Sequence, residues 1–355
     1  MSGAIPQERT GRISATDDGD RSRRRVRPKA GRAVRFGAVL LAVVIGGCLV
    51  AIPWSFGRVE DASGVGGPRY AVGNLELNLL PPSWLGAADA DEHADVLARL
   101  EAARSADLYV PGRVLGTDRL GRDVFARLLA GGVVSLAVGF FAAAVAVLLG
   151  TLYGAASAFA GGRTDAVLMR IVDVLFGLPS ILLVVLLAVA VDGAVSRAGW
   201  DLGPAARQWI GLATLFVAIG GVGWLTLARI VRGQVLSLRT RPFMEACEAL
   251  GVPRRRRFVR HVLPNLAGPV LVYAALAVPA AMLAESFLSF LGIGVQEPLP
   301  SWGNLASEGL QELNPFRSRW WLLAAPCVAL SATLLALNLV GDHIRRGFDP
   351  GSGTP

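Results

Sequence analysis

The sequence predicts an all-α integral membrane protein with six transmembrane helices. Two observations lead there. Of 355 residues 53% are hydrophobic and only 17% charged, against ~25% charged in an ordinary soluble domain. The apolar residues also gather into runs of about 20, the length a helix needs to cross a bilayer, and in lipid a helix satisfies its own backbone. The runs are roughly Val34–Trp54, Val133–Ala160, Ile171–Val191, Trp209–Ile230, Ala267–Leu291 and Trp320–Val340.

In chain order, residues 1–33 form a polar, strongly basic tail with the composition of a disordered segment. The first helix, 34–54, has no small-residue cleavage site after it, so it reads as a span and not as a removable signal. A long loop, 55–132, follows. Within it DADEHADVLARLEAARSA places Val96, Leu97, Leu100 and Ala103 on about one face of a short amphipathic helix. At its end, in GTDRLGRD, Gly116 and Gly121 suit turns. Thr117, Asp118, Arg122 and Asp123 beside them form either a solvated turn or an ion-paired structural element.

The second run, rich in glycine and alanine, is expected inside a bundle, because small residues let helices approach closely. Trp209, Trp320 and Trp321 fall at run ends, where interfacial aromatics belong. Charges inside membrane runs invite functional suspicion. Arg170 and Asp173, at the start of the third run, are spaced i, i+3 and could pair with each other. Glu285, in the fifth, either lines a polar pathway or is a structural partner to another helix. In PLPSWG, the prolines and Gly303 mark a rigid turn, with Trp302 as an anchor.

Between the fourth and fifth runs lies TRPFMEACEALGVPRRRRFVRHVLPN. Thr240 can cap a helix that Pro242 opens and Gly251 stops. Pro253 can open a second short helix that ends before Pro264. The result is a helix–Gly–helix knob in which Ala246, Cys247 and Ala249 are small enough for a partner's groove to close over. Glu245 and Glu248 offer it charges.

The formal net charge of +8 is carried almost wholly by arginine. Arginines crowd the connections after the second and fourth runs and both termini, which by the positive-inside rule places both termini in the cytoplasm. That distribution explains the basicity without nucleic acid. The three cysteines and three histidines are scattered, so no zinc site, disulfide framework or other cofactor is expected. With no P-loop and no catalytic Ser/His/Asp or HExxH arrangement, the chain is not expected to be an enzyme.

The 240–265 stretch resembles the EAA loop of binding-protein-dependent ABC importer permeases. Glu245, Ala246 and Cys247 fill its first triplet, Gly251 follows at the family spacing, and Leu263-Pro264 close it. Cys247 in place of alanine and His261 at an apolar position depart from the pattern. LGTDRLGRDVFARLL, AESFLSFLGIGVQEPLPSWGNL and LNLVGDHIRRGFDP resemble the C-type permease of the dipeptide, oligopeptide and nickel branch. The resemblance implies a type-1 permease bundle with a five-helix core over 130–342, a coupling loop over 232–266 and a cytoplasmic tail over 343–355. It implies half of a translocation pathway for peptides, in a bacterial inner membrane. The partners would be a second permease subunit, two ATP-binding-cassette ATPase subunits and an extracytoplasmic substrate-binding protein. Nickel chelates or other small solutes are the alternative cargo. A secondary transporter would call for more helices and inverted repeats.

Overall fold

The computed structural model describes residues 31–60, 66–85, 90–106, 108–198, 203–315 and 318–348. The basic tail before residue 31 and the last residues of the C-terminal tail lie outside them. Among the described residues, six helices are long and apolar enough to cross a membrane.

The first is α1 (Arg32–Val50), extended by the short α2 (Ile52–Ser55). A small antiparallel hairpin, β1 (Arg58–Glu60) with β2 (Gly66–Pro68), follows. The amphipathic helix predicted in the long loop is α3 (Ala90–Ser105). Its Val96, Leu100 and Ala103 are buried against Leu77 and Leu80, but Leu97 is exposed. Positions 96, 100 and 103 follow the i, i+4, i+7 stripe, and Leu97 lies about 100° round the helix.

α4 (Val124–Ala160) begins nine residues before the predicted run because Asp123 caps it. α5 (Gly162–Phe176), α6 (Ser180–Arg197) and α7 (Pro204–Arg239) follow. Here the predicted third span, Ile171–Val191, is corrected: it is divided between α5 and α6. The cause is Gly177-Leu178-Pro179, since a proline disfavours helical backbone in the residue before it and carries no N–H. Only α6 has the length and apolarity of a span.

α8 (Pro242–Ala249) and α9 (Arg254–Arg257) make the knob, and α10 (Leu263–Phe290) leaves it. The expected stop before Pro264 is absent. A wide π-turn over Phe258–Val262, with the Leu263 N–H on the Phe258 carbonyl, carries α9 into α10. Widening the turn absorbs the proline, which supplies no donor and crowds the preceding turn. α11 (Trp302–Leu310) starts in a capping box of Ser301 and Asn304, and α12 (Trp320–Phe348) is the last span.

The bundle is centred on α4 and α7, which run parallel. Ala142 lies by Gly220, Gly150 by Leu227 and Gly154 by Ala228. A Cβ on Gly150 would meet Trp224 O at 2.9 Å, and one on Gly154 would meet Ala228 O at 2.3 Å. No larger residue fits, so the two backbones are in direct contact, as small residues permit in lipid. α10 packs along α4, with Met282 over Gly139. One end of the bundle therefore carries α5, α8 and α9, and the other carries α3, α11, the end of α6 and the start of α7.

Candidate functional site

The knob is built around one anchor. Arg241 occupies the cap position of α8 in extended backbone, and Pro242 opens the helix. Thr240, expected to cap it, instead donates its hydroxyl to Ser237 O. Met244 is buried with Val235, Leu238 and Val262. The outward face holds Glu245, Ala246 and Ala249, all exposed, with Cys247 partly covered. The helix ends in a Schellman motif: Gly251 N donates to Glu248 O and Val252 N to Cys247 O, each at 3.0 Å. Gly251 stands at φ +67°, a backbone that L side chains adopt at a cost. Leu250, just before it, is 82% exposed. Arg257 ties α9 back to Glu248 at 3.0 Å. Leu263 and Pro264 are exposed at the root of α10.

Behind the knob, α7 grips α5. Arg232 Nε and Nη2 donate to the two oxygens of Asp165, and Ser157 Oγ adds a third bond at 2.6 Å. The Arg232 guanidinium holds the Asp165 carboxyl below the usual aspartate range, with the Ser157 hydroxyl adding to it and burial opposing it. Arg239 Nη1 donates to Ala158 O. Arg229 pairs with Asp173 at 3.0 Å and lies over the Phe176 ring. The expected Arg170–Asp173 pair is thus corrected: Arg170 points into the open, and Asp173 is used by α7.

At the opposite end, Gly116–Asp123 forms a tight turn with positive φ at Gly116 and Gly121. Thr117 is buried, donating to Leu77 O and accepting from Leu80 N. The Asp118 carboxylate takes Arg122 Nε and Arg127 Nη1, both at 2.6 Å. Arg127 also reaches Glu308 on α11, and Arg122 reaches Glu297 after α10. Arg119 and Arg319 both pair with Glu312. Asp123 caps α4 through Phe125 N and Ala126 N, and burial pushes its carboxyl up. The turn is ion-paired and largely buried. Arg127, Glu297, Glu308 and Glu312 were not singled out from the sequence. Arg127, a lone charge opening an apolar run, was the available signal.

Glu285 is fully buried. Its carboxylate accepts from Ser135 on α4 at 3.0 Å and from Ser286 and Ser289 on α10 at 3.2 and 2.7 Å. Ser135 in turn accepts from Trp302 N, and Ser289 from Val295 N. Glu285 therefore ends two hydrogen-bond relays that join α4, α10 and the start of α11. In this arrangement it faces other helices and no open path.

These features define a multi-pass helical membrane protein with an exposed knob between two spans. The chain belongs to the family of binding-protein-dependent transport system inner membrane components, whose profile matches residues 146–353. It is 44% identical to the oligopeptide transport system permease protein OppC of Haemophilus influenzae over 66% of this chain and 69% of that one. The dipeptide transport system permease protein DppC of Bacillus subtilis is 42% identical over 66% and 68% of the two chains. OppC of Escherichia coli K12 is 45% identical over 67% and 72%. An inward-facing structure of the MetNI methionine ABC transporter overlays with a TM-score of 0.48 at 18% identity, over 63% of this chain and 97% of that one. The chain is a permease subunit, not an enzyme.

Proposed function

We propose that the chain is the C-type permease of an ATP-driven peptide importer, forming half of the pathway beside a second permease subunit. The observation that carries this is the exposed α8 knob on its single Met244 anchor, together with relatives named for oligopeptide and dipeptide transport. On this reading the 232–266 loop is the coupling element, and the permease core spans about 130–342. Glu245, Ala246, Cys247, Ala249 and Gly251 are offered to one of two ATPase subunits, and Leu263 and Pro264 set the root from which the knob projects. An extracytoplasmic binding protein delivers the peptide to the other end. The arginine-rich α8 end is then cytoplasmic, both termini with it, in a bacterial inner membrane. ATP-driven closure of the ATPases moves the knobs, and the two permeases swing between inward- and outward-open states. The knob biases that equilibrium because its contacts with the ATPases differ between the states.

The test is reconstitution. The full assembly in proteoliposomes should import a short peptide only with ATP inside the ATPase compartment. Import driven by an ion gradient with ATP absent would sink the proposal in favour of a secondary transporter.

A further inference from the structure

At the end opposite the knob, a cavity of about 430 Å³ opens between α6, α7 and the segment after α10. That lies within the ~300–1,000 Å³ usual for small-molecule sites. Its apolar wall includes Val189, Ile210 and Leu215, and two opposite charges face it: Asp192 from α6 and Arg207 from α7. Several acids near helix ends in this chain are ion-paired, among them Asp118, Asp165, Asp173, Glu248 and Glu312. Among the described residues, Asp192 and Arg207 have no ion pair, either with each other or with a third group. Deeper in the bundle, a second cavity of about 170 Å³ is lined by alanines, valine, isoleucine and Tyr273, with no charged side chain. Charge recognition is therefore possible at the mouth and not further in.

We propose that this mouth binds the two termini of a short peptide, Asp192 taking the α-ammonium and Arg207 the α-carboxylate. The inference rests on the peptide-importer reading and on the orientation argued above. A zwitterion engages an unpaired carboxylate and an unpaired guanidinium of a single cavity at once. A guanidinium fork matches a carboxylate in two parallel bonds. The apolar wall accepts side chains without reading them, so cargo would be chosen by its free ends. The charges are exposed, which keeps the grip weak enough for release into the pathway.

The experiment uses the complete assembly in proteoliposomes, with tri-alanine and tri-alanine amide each at a concentration that saturates the binding protein. The variants are Asp192→Asn and Arg207→Gln. ATPase stimulation by the loaded binding protein serves as the control for folding and assembly. Wild type should move tri-alanine about tenfold faster than the amide. Arg207→Gln should bring the free peptide down to the rate of the amide with ATPase stimulation unchanged, and Asp192→Asn should slow both peptides alike. Unchanged tri-alanine uptake in both variants would overturn the mouth site while leaving the importer reading intact. An unaltered preference for the free peptide in Arg207→Gln would do the same. No tri-alanine uptake by wild type, with some other solute imported, would overturn the peptide reading and this site with it.

Discussion

Arg232 holds Asp165 through two parallel contacts of 2.7 Å each, and so fastens α5 to the helix that runs directly into the knob. Asp165→Asn replaces a charge-assisted pair with a weaker amide contact. Arg232 is about a third exposed and can be rehydrated, so the expected loss is about 1 kcal/mol, below the ~1.5–3 kcal/mol of well-buried hydrogen bonds to charged groups. Thermal unfolding in detergent reads it. A pH series adds a second check. The folded carboxyl titrates below its unfolded value, so its contribution is fully present above the ordinary aspartate range. It is lost only as pH falls through the depressed value. The difference in melting temperature between wild type and Asp165→Asn should be flat from pH 6 to 8 and shrink below about pH 4. A difference that instead grows on acidification would contradict the pair.

The knob yields a prediction that separates strain from contact. A Cβ at Gly251 would meet nothing within 4 Å, so Gly251→Val costs backbone conformation alone, about 1–2 kcal/mol. Ala246→Trp leaves the backbone as it is and adds bulk to an exposed face. Both variants should insert in the membrane normally, bind the ATPase subunits more weakly by about 1–3 kcal/mol and lose most transport. Normal transport and ATPase pull-down in both would remove the knob as the coupling element.

Arg127 has no exposed surface and bridges Asp118 to Glu308. Arg127→Ala leaves Asp118 with Arg122 alone at 2.6 Å and Glu308 with Arg122 at 3.6 Å, and should cost about 1.5–3 kcal/mol, the scale for hydrogen bonds to charged groups. Denaturation in detergent should show that loss, and Arg127→Lys should recover only part of it, because one ammonium cannot reproduce the fork.

Glu285→Ala leaves serine hydroxyls without their acceptor, each costing about 1–3 kcal/mol. Glu285→Gln keeps one carbonyl and should cost roughly half as much. If either variant instead keeps full stability while uptake disappears, Glu285 acts on cargo and not on packing.

Orientation is open to labelling in a background lacking Cys48, Cys247 and Cys327. Leu97→Cys on α3 should react with a membrane-impermeant thiol reagent added outside, and Leu250→Cys only after the membrane is opened. The reverse pattern would invert the topology.

The spans were legible in the sequence because length and apolarity alone decide them. The break in the third was not taken from hydropathy, since IVDVLFGLPSILLVV stays apolar straight across Gly177 and Pro179. Those two residues were the signal. The turn at Gly251 was legible because helix-stop chemistry is local. Pro264 misled for the same reason: its local meaning is a stop, and a π-turn overrides it. The glutamate partners of Arg122 and Arg127, Glu297 and Glu308, lie about 175 residues or more along the chain. No local pattern announces such pairs, and only the packing of α11 on α4 brings them together.

The missing β-carbons at Gly150 and Gly154 have a mechanical consequence. At these two positions backbone presses on backbone, and α4 and α7 have no side-chain layer there in which to slide. A displacement applied at α8 must be carried by both helices as one stiff lever, from one face of the membrane to the other. The bending has to occur elsewhere, and Gly177-Leu178-Pro179, where the chain leaves α5 without helical hydrogen bonds across the proline, is the natural pivot.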